Sequence, residues 1–243
     1  PHDTYVIEIF RNLRTAEKKH VPMPNYLEII QREISDGMRA ILVDWLVEVA
    51  TEYVVLEETT SMAISLIDRY LSTTPVLRSK LQLVGVTAMW IACKYEEVNP
   101  PTLEEMCNVS DHLYSKAEVL RCEREMLAAL GYQLTSPTAK TFLDRYTIAS
   151  GAEIKLSYLA NYLTELSLLD YRMLHFLPSK VAASALFLAR VTLGKSAWSP
   201  TLQHCTGYNA SELEDCVKDL HAFFVFARNL STAGVREKYA LHA

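Results

Sequence analysis

Residues 38–48 read MRAILVDWLVE, and helical periodicity puts apolar side chains on two faces of this segment. The first stripe consists of Met38, Ile41, Leu42, Trp45 and Val49. The second consists of Val43, Leu46, Val47 and Ala50. A surface helix needs only one apolar stripe. The helix is therefore either buried on both sides, or buried on one side and open to a partner on the other.

Length and composition restrict the class of protein. The chain has 243 residues, which suits one large domain or two of ordinary size, and 50% hydrophobic residues supply a core. A net charge of −5 without a basic run argues against a nucleic-acid partner. No apolar stretch reaches about 18 residues, so we expect no membrane-spanning segment. Residues 81–93, the longest such stretch, are interrupted by Gln82 and Thr87 and read as a core helix.

The cysteines predict neither disulfides nor a metal site. Five cysteines occur, an odd number without a CxxC pair, which is typical of reduced thiols in an intracellular protein. The spacing of His204, Cys205, Cys216 and His221 fits no common zinc motif, so we expect no metal and no cofactor. Because the chain begins with Pro1 rather than methionine, we expect it to be a fragment of a longer protein.

Nearly every segment has helical periodicity, and prolines punctuate the chain between these segments. The pattern predicts an all-α fold of about ten or more helices. After a helical N-terminal segment at 3–19, helices are expected from Ser35/Asp36 onward and at roughly 60–72, 79–96, 103–107 and 115–131.

A weak internal repeat indicates two copies of one unit. LVGVTAMWIACK (83–94) is similar to KVAASALFLARV (180–191), and SKAEVLRCEREML (115–127) is similar to NASELEDCVKDLH (209–221). The offset of about 95 residues is too long for a solenoid repeat and suits two five-helix domains that meet within 133–138.

Four segments carry a resemblance to a known family: MRAILVDWLVE, SLIDRYLS (65–72), KLQLVGVTAMWIACKYEEVNPP (80–101) and LTELSLLDYRMLHFLPS (163–179). They resemble the cyclin boxes of mitotic A- and B-type cyclins, without deciding between the two types. The resemblance implies an N-terminal helix followed by two tandem five-helix cyclin boxes. The implied divisions are a helix and linker at 1–32, a first box at 33–134, a second at 135–232 and a C-terminal tail at 233–243.

The resemblance also implies a function. A cyclin is the regulatory subunit of a cyclin-dependent Ser/Thr protein kinase in cell-cycle control, found in the nucleus and cytoplasm and expected to be monomeric when free. It has no active site of its own, which agrees with the lack of a phosphate-binding glycine loop or a catalytic Ser/His/Asp pattern in the sequence. Two alternatives are a cyclin-fold transcription scaffold, which should carry basic faces, and an enzyme with an unrecognised site.

Lys94 and Glu123 are the residues that the resemblance places at the kinase. Taken alone, Lys94 could complement a helix C-terminal dipole, and Glu123 could be a solvated acid within the stripe of Leu120 and Leu127. We expect both to be exposed in the free chain. The second repeat has valines at the corresponding positions, so kinase binding is assigned to the first box. The resemblance adds further kinase-binding residues: Tyr5, Ile9, Tyr95, Glu96, Glu97, Val98, Leu127 and Tyr132.

The open stripe of the 38–48 helix would be the family's docking groove for substrates and inhibitors of the Arg-x-Leu type. The residues assigned to it are Met38, Ile41, Leu42, Trp45, Glu48, Leu81 and Gln82, with Asp111 nearby. The cation of such a ligand would meet Glu48, and its leucine would enter the apolar pocket.

Arg39 falls within the second apolar stripe and is expected to be buried. A buried guanidinium needs a carboxylate, and Asp68 is the best candidate, as in the family. Alternatively, Arg39 extends its head group to solvent. If the pair exists, it is structural.

Overall fold

A computed structural model of the chain describes residues 2–196, 198–228 and 234–240. The predicted all-α fold is confirmed, since this part of the chain contains helices and no strand. Within these ranges the α-helices form two successive groups of five, with two α-helices before the first group and one after the second. The flanking helices are α1 (His2–Ala16), α2 (Tyr26–Ile29) and α13 (Gly234–Ala240).

The first group packs around α5, which is buried along most of its length. Its members are α3 (Asp36–Glu52), α4 (Glu57–Leu71), α5 (Leu81–Glu96), α6 (Leu103–Asn108) and α7 (Lys116–Ala129). Gly85 of α5 allows α3 to approach closely, because a Cβ at this position would lie 2.7 Å from Leu42 Cδ1. The first apolar stripe of α3 is thereby anchored in the core through Leu42.

The second group packs in the same way around α10, whose alanine-rich face is buried. Its members are α8 (Ala139–Ala149), α9 (Ile154–Ser167), α10 (Pro178–Thr192), α11 (Pro200–Thr206) and α12 (Glu214–Ala227). The correspondence between α5 and α10 agrees with the repeat seen in the sequence.

Capping side chains determine several helix starts. Ser35 accepts a hydrogen bond from the Met38 N–H at the start of α3, and Ser115 forms the expected capping box with Glu118 at the start of α7. Two starts differ from prediction: α4 begins at Glu57, and a 3-10 turn at Arg78–Lys80 precedes α5. The N-cap residues at these two starts, Leu56 and Leu77, form no capping hydrogen bond through their side chains, so the local sequence gives no clear signal for either start.

The second group of helices covers Val43 and Val47, which are two of the four residues in the second stripe of α3. Val43 and Val47 are fully buried against Leu166, Leu169 and Phe223. Leu42, Leu46 and Val49 pack into the first core instead. α3 therefore has two buried faces, and a third face formed by Met38, Ile41 and Trp45 remains accessible to solvent.

Both flanking ends dock onto this framework. Phe10 and Leu13 of α1 pack on the second core, and Glu17, buried just after α1, accepts hydrogen bonds from Ser179 N (2.9 Å) and Oγ (2.8 Å) at the start of α10. Residues that the sequence assigned to a C-terminal tail include α13, whose N-terminal N–H groups point at the buried carboxylate of Asp44 on α3.

Candidate partner-binding surfaces

An open groove of about 300 Å³ lies on the third face of α3. Ile41 is 61% exposed within it, whereas Met38 and Trp45 are half-buried. The residues that line the groove are Met38, Ile41, Leu42, Trp45, Arg78, Leu81 and Gln82. The structure thus brings together six of the residues that the sequence grouped, and it adds Arg78, a cation whose position in the 3-10 turn the sequence did not reveal.

The two acids assigned to this groove are not part of its lining. Glu48 lies beside α13, where a Cβ on Gly234 would be 2.9 Å from Glu48 Cγ. Burial and the nearby carboxylates of Asp44 and Glu237 raise the pKa of Glu48. Asp111 is exposed in a left-handed backbone conformation after α6. Any ligand cation would have to reach these acids beyond the apolar pocket.

Lys94 and Glu123 form an ion pair that joins α5 to α7. The Lys94 side chain is 37% exposed and its Nζ lies 4.6 Å from the centre of the Trp90 ring. The expectation that Glu123 is exposed was wrong, because only 12% of its side chain is accessible. The close packing of α7 on α5 buries the acid and makes Lys94 its partner.

Exposed apolar and aromatic side chains surround the ends of α5 and α7. Tyr95 is exposed and its hydroxyl is hydrogen-bonded to Thr135, which follows α7 in the chain. Val98 and Tyr132 are also exposed, and Tyr132 is held with φ at +58°. Leu127 is half-buried against the first core. Together with Lys94, these residues form a mixed surface that we call the α5–α7 surface.

Four further residues were assigned to kinase binding, and the structure places them in different environments. Glu96 is exposed at the end of α5. Glu97 turns inward, and its Oε1 accepts hydrogen bonds from Leu56 N (2.9 Å) and Thr59 Oγ1 (2.6 Å), so it caps the start of α4. Tyr5 and Ile9 are exposed on α1, whose other face packs on the second core.

Arg39 and Asp68 meet in a buried ion pair, with Arg39 Nε 2.6 Å from Asp68 Oδ1. Arg39 Nη1 also donates to the carbonyl oxygen of Leu168 (2.8 Å), which lies in the second group of helices. The Tyr26 hydroxyl donates to Asp68 Oδ1 at 2.8 Å. The pair is thus connected to both groups and to the N-terminal segment.

A second charged network, which the sequence did not reveal, lies where the two groups meet α13. Lys238 Nζ of α13 lies 2.8 Å from both carboxylate oxygens of Glu165, and Lys140 Nζ lies 2.8 Å from Glu57 Oε2. Desolvation raises the pKa of Glu165, whereas the hydrogen bond and charge of Lys140 hold the pKa of Glu57 below its usual value. Its members are spread over four helices, and no sequence spacing relates them.

Among the described residues, no group of three or more His, Cys, Asp or Glu side chains could hold a metal ion. All five cysteines are free, and burial raises the pKa of the Cys93 thiol to about 12. None of the helices in the described ranges is long and apolar enough to cross a membrane.

Both groups of helices match known domain families. Residues 8–135 match the cyclin N-terminal domain, and residues 137–243 match the cyclin C-terminal domain. Cyclin-A2-1 of Oryza sativa subsp. japonica is 48% identical over 243 residues, which cover 97% of this chain and 50% of that protein. Cyclin-A1-1 of Arabidopsis thaliana is 45% identical over 98% of this chain and 54% of that protein. The chain thus spans about half the length of these relatives.

Solved structures show the same fold. A viral cyclin from herpesvirus saimiri superimposes with a TM-score of 0.78 at 20% identity, covering 88% of this chain and 96% of that one. A chain of the yeast RNA polymerase II CTD kinase CTDK-1 complex superimposes with a TM-score of 0.68 at 14% identity, covering 96% and 82%. At this level of identity the likeness concerns the fold alone.

Proposed function

Because the chain belongs to the cyclin family, with both its N-terminal and its C-terminal domain, we propose that it is the regulatory subunit of a cyclin-dependent Ser/Thr protein kinase in cell-cycle control. It supplies a binding surface rather than a catalytic group. The relatives named above are A-type cyclins, whereas the sequence motifs alone left the A and B types open.

The α5–α7 surface is the observation that supports kinase binding best. It combines the Lys94–Glu123 ion pair with exposed Tyr95, Val98 and Tyr132. A stable interface commonly has such a composition, in which aromatic and aliphatic contacts surround a few polar anchors. The corresponding positions of the second domain hold Val191 and Val217, so this domain lacks the charged pair.

The proposed mechanism is a population shift of the kinase. Binding at the α5–α7 surface favours the kinase conformation whose Lys–Glu pair and activation segment are placed for phosphoryl transfer. The buried Arg39–Asp68 pair and the capping carboxylate of Glu97 hold α3, α4 and the end of α5 in fixed positions. A rigid surface loses little conformational entropy on association.

The groove on α3 is proposed to recruit Arg-x-Leu substrates or inhibitors. Its apolar lining of Ile41, Trp45 and Leu81 suits the leucine of such a ligand. Glu48 and Asp111 are available only outside this lining, and Arg78 is a cation within it. The leucine pocket should therefore contribute more to affinity than the charge contact does.

Reconstitution with candidate kinases tests the proposal. The chain is mixed with individual cyclin-dependent kinases, and phosphorylation of histone H1 is measured against kinase alone. We expect stimulation of at least one kinase, weakened by the double variant Lys94→Ala/Glu123→Ala. A correctly folded chain, as judged by circular dichroism, that stimulates none of the kinases would refute the proposal.

A further inference from the structure

The outer face of α9 carries a row of apolar side chains in the second domain. Ile154, Tyr158 and Tyr162 follow one another at intervals of four residues and so share one face of the helix. Ile154 is 76% exposed, Tyr158 is exposed, and Tyr162 is half-buried. Scattered exposed apolar residues are ordinary, but an aligned row of them is typical of an interaction surface.

α13 forms the opposite wall of a groove along this row. The ring of Tyr239 on α13 contacts that of Tyr162 with centroids 5.4 Å apart, and Arg236 and Ala240 line the same wall. The groove has a volume of about 590 Å³, compared with about 300 Å³ for the groove on α3. It is therefore large enough to receive several side chains of a peptide.

The charges at this α9–α13 groove are positive, although the whole chain has a net charge of −5. Lys155 and Arg236 line it, and none of its described lining residues is acidic. Arg236 also donates to the carbonyl oxygen of Arg228 (3.2 Å), which brings a third cation near Tyr162.

Neither of the two described acids nearest in sequence to the groove forms an ion pair with Lys155 or Arg236. Glu153, at the start of α9, is paired with Lys195 at 2.8 Å. Glu237, the residue after Arg236, lies close enough to Glu48 of α3 to affect its pKa. Among the described residues, the charges of Lys155 and Arg236 are therefore available to an external group.

We propose that the α9–α13 groove docks a segment of a partner protein that carries bulky apolar side chains flanked by aspartate or glutamate. The apolar side chains would lie along the α9 row, and the carboxylates would meet Lys155 and Arg236. A second copy of the chain fits less well, since a two-fold contact through this groove would oppose its own cations. The groove on α3 is proposed to take cationic ligands, so the two grooves select opposite charges.

Selection from a random peptide library tests this inference. Phage-displayed 12-residue peptides are selected on the full chain and counter-selected on the Ile154→Asp variant, and enriched peptides are labelled with fluorescein and titrated by anisotropy. We expect enriched peptides to be acidic and apolar. Ile154→Asp should weaken their binding at least about tenfold, and Lys155→Glu/Arg236→Glu should do the same at low salt, where surface charges are least screened.

Matched substitutions outside the groove serve as controls. Ile148→Asp on α8 changes a residue that is 71% exposed, and Lys218→Glu changes an exposed lysine of α12. Both should leave peptide affinity within about twofold, as should Ile41→Asp in the other groove. Kinase stimulation should persist in the Ile154→Asp variant, which separates this inference from the proposed function.

Three results would overturn the inference. The first is that no enriched peptide depends on Ile154 or on the two cations. The second is that the enriched peptides are basic. The third is a concentration-dependent dimer, seen by analytical ultracentrifugation and abolished by Ile154→Asp, which would assign the groove to a second copy of the chain.

Discussion

Arg39 and Asp68 form a two-point ion pair in the interior, with Nε donating to Oδ1 at 2.6 Å and Nη2 donating to Oδ2 at 2.7 Å. The third contact of the guanidinium, from Nη1 to the Leu168 carbonyl, crosses to the second domain. A single side chain thereby holds α3 against α4 and against the neighbouring domain.

Removal of Asp68 should therefore be strongly destabilising. Asp68→Ala leaves the guanidinium of Arg39 buried without its carboxylate and should lower the free energy of unfolding by about 3–5 kcal/mol. Urea denaturation followed by circular dichroism measures the change. The apolar double variant Arg39→Met/Asp68→Leu should recover part of the loss, and Lys116→Ala, at an exposed ion pair, should have little effect. An Asp68→Ala variant as stable as the wild type would contradict this role.

Lys94 should affect both stability and kinase binding. Because Glu123 is mostly buried, Lys94→Ala should cost about 1–3 kcal/mol of folding free energy by leaving an acceptor without its donor. Truncation of such an anchor should also cost about 2–5 kcal/mol of binding free energy toward the kinase. Calorimetric titration and thermal unfolding measure the two effects. Unchanged kinase affinity in a folded Lys94→Ala variant would show that Lys94 does not contribute to the kinase interface.

Two substitutions distinguish an effect on peptide binding in the α3 groove from an effect on the first core. Trp45→Ala should reduce the binding free energy of a fluorescent Arg-x-Leu peptide by about 2–4 kcal/mol. This corresponds to an affinity that is about 30- to 1000-fold lower. Since Trp45 also packs on the first core, Ile41→Asp is the companion variant, because Ile41 is exposed and its replacement should spare the fold. Stimulation of the kinase on a short substrate without the motif should persist in both. Peptide binding unaffected by Ile41→Asp would place the ligand elsewhere.

Glu165 should make stability depend on pH. Its pKa is raised in the folded chain, so the folded state binds more protons than the unfolded state between the unfolded value of about 4.3 and the raised value. Stability from this group is therefore lost as pH rises through that window. A Glu165→Gln variant lacks this loss, so its stability relative to the wild type should increase from pH 4 to pH 7 in urea titrations.

Glu57 provides a control, because its pKa is shifted in the opposite direction from that of Glu165. Its pKa is lowered by Lys140, so its contribution to stability is lost as pH falls through the folded value. Glu57→Gln should therefore gain stability relative to the wild type as the pH falls. Parallel pH profiles for the two variants would contradict at least one of the two assignments.

Glu17 should anchor the N-terminal helix to the second domain. Glu17→Ala removes the acceptor of both Ser179 donors and should cost about 1–3 kcal/mol. Hydrogen–deuterium exchange should then be faster in α1, and Glu8→Ala, an exposed acid of the same helix, should leave it unchanged. Equal protection of α1 in both variants would show that its other contacts, which include Phe10, Leu13 and the Arg14–Thr206 hydrogen bond, hold the helix without Glu17.

Local sequence patterns predicted much of the fold. The helical periodicity, the capping residues Ser35 and Ser115, and the repeat between 83–94 and 180–191 all describe interactions within about one helix turn or one unit. The resemblance of the 38–48 segment then indicated the family, which the domain matches confirm. The main errors in helix boundaries were at α4 and α5, where the N-cap residue itself forms no capping hydrogen bond.

The candidate surfaces could be predicted only in part. Periodicity grouped Met38, Ile41 and Trp45 because they share a face of one helix. It could not show that Glu97 turns inward to cap α4, or that Arg78 enters the groove, since each depends on where a neighbouring helix lies. The lysines that pair with Glu165 and Glu57 come from other helices, 73 and 83 residues further along the chain.

The sequence by itself determined that the chain is helical, that it repeats, that it carries the cyclin motifs and which side chains share a helix face, because these properties depend on residues close together in the chain. Tertiary structure decided which element covers each face. It buried Glu123 between α7 and α5, placed Val43 and Val47 against the second domain, and left the row from Ile154 to Tyr162 beside α13. The physical reason is that a side chain's burial and charge partners depend on helix packing across long sequence separations.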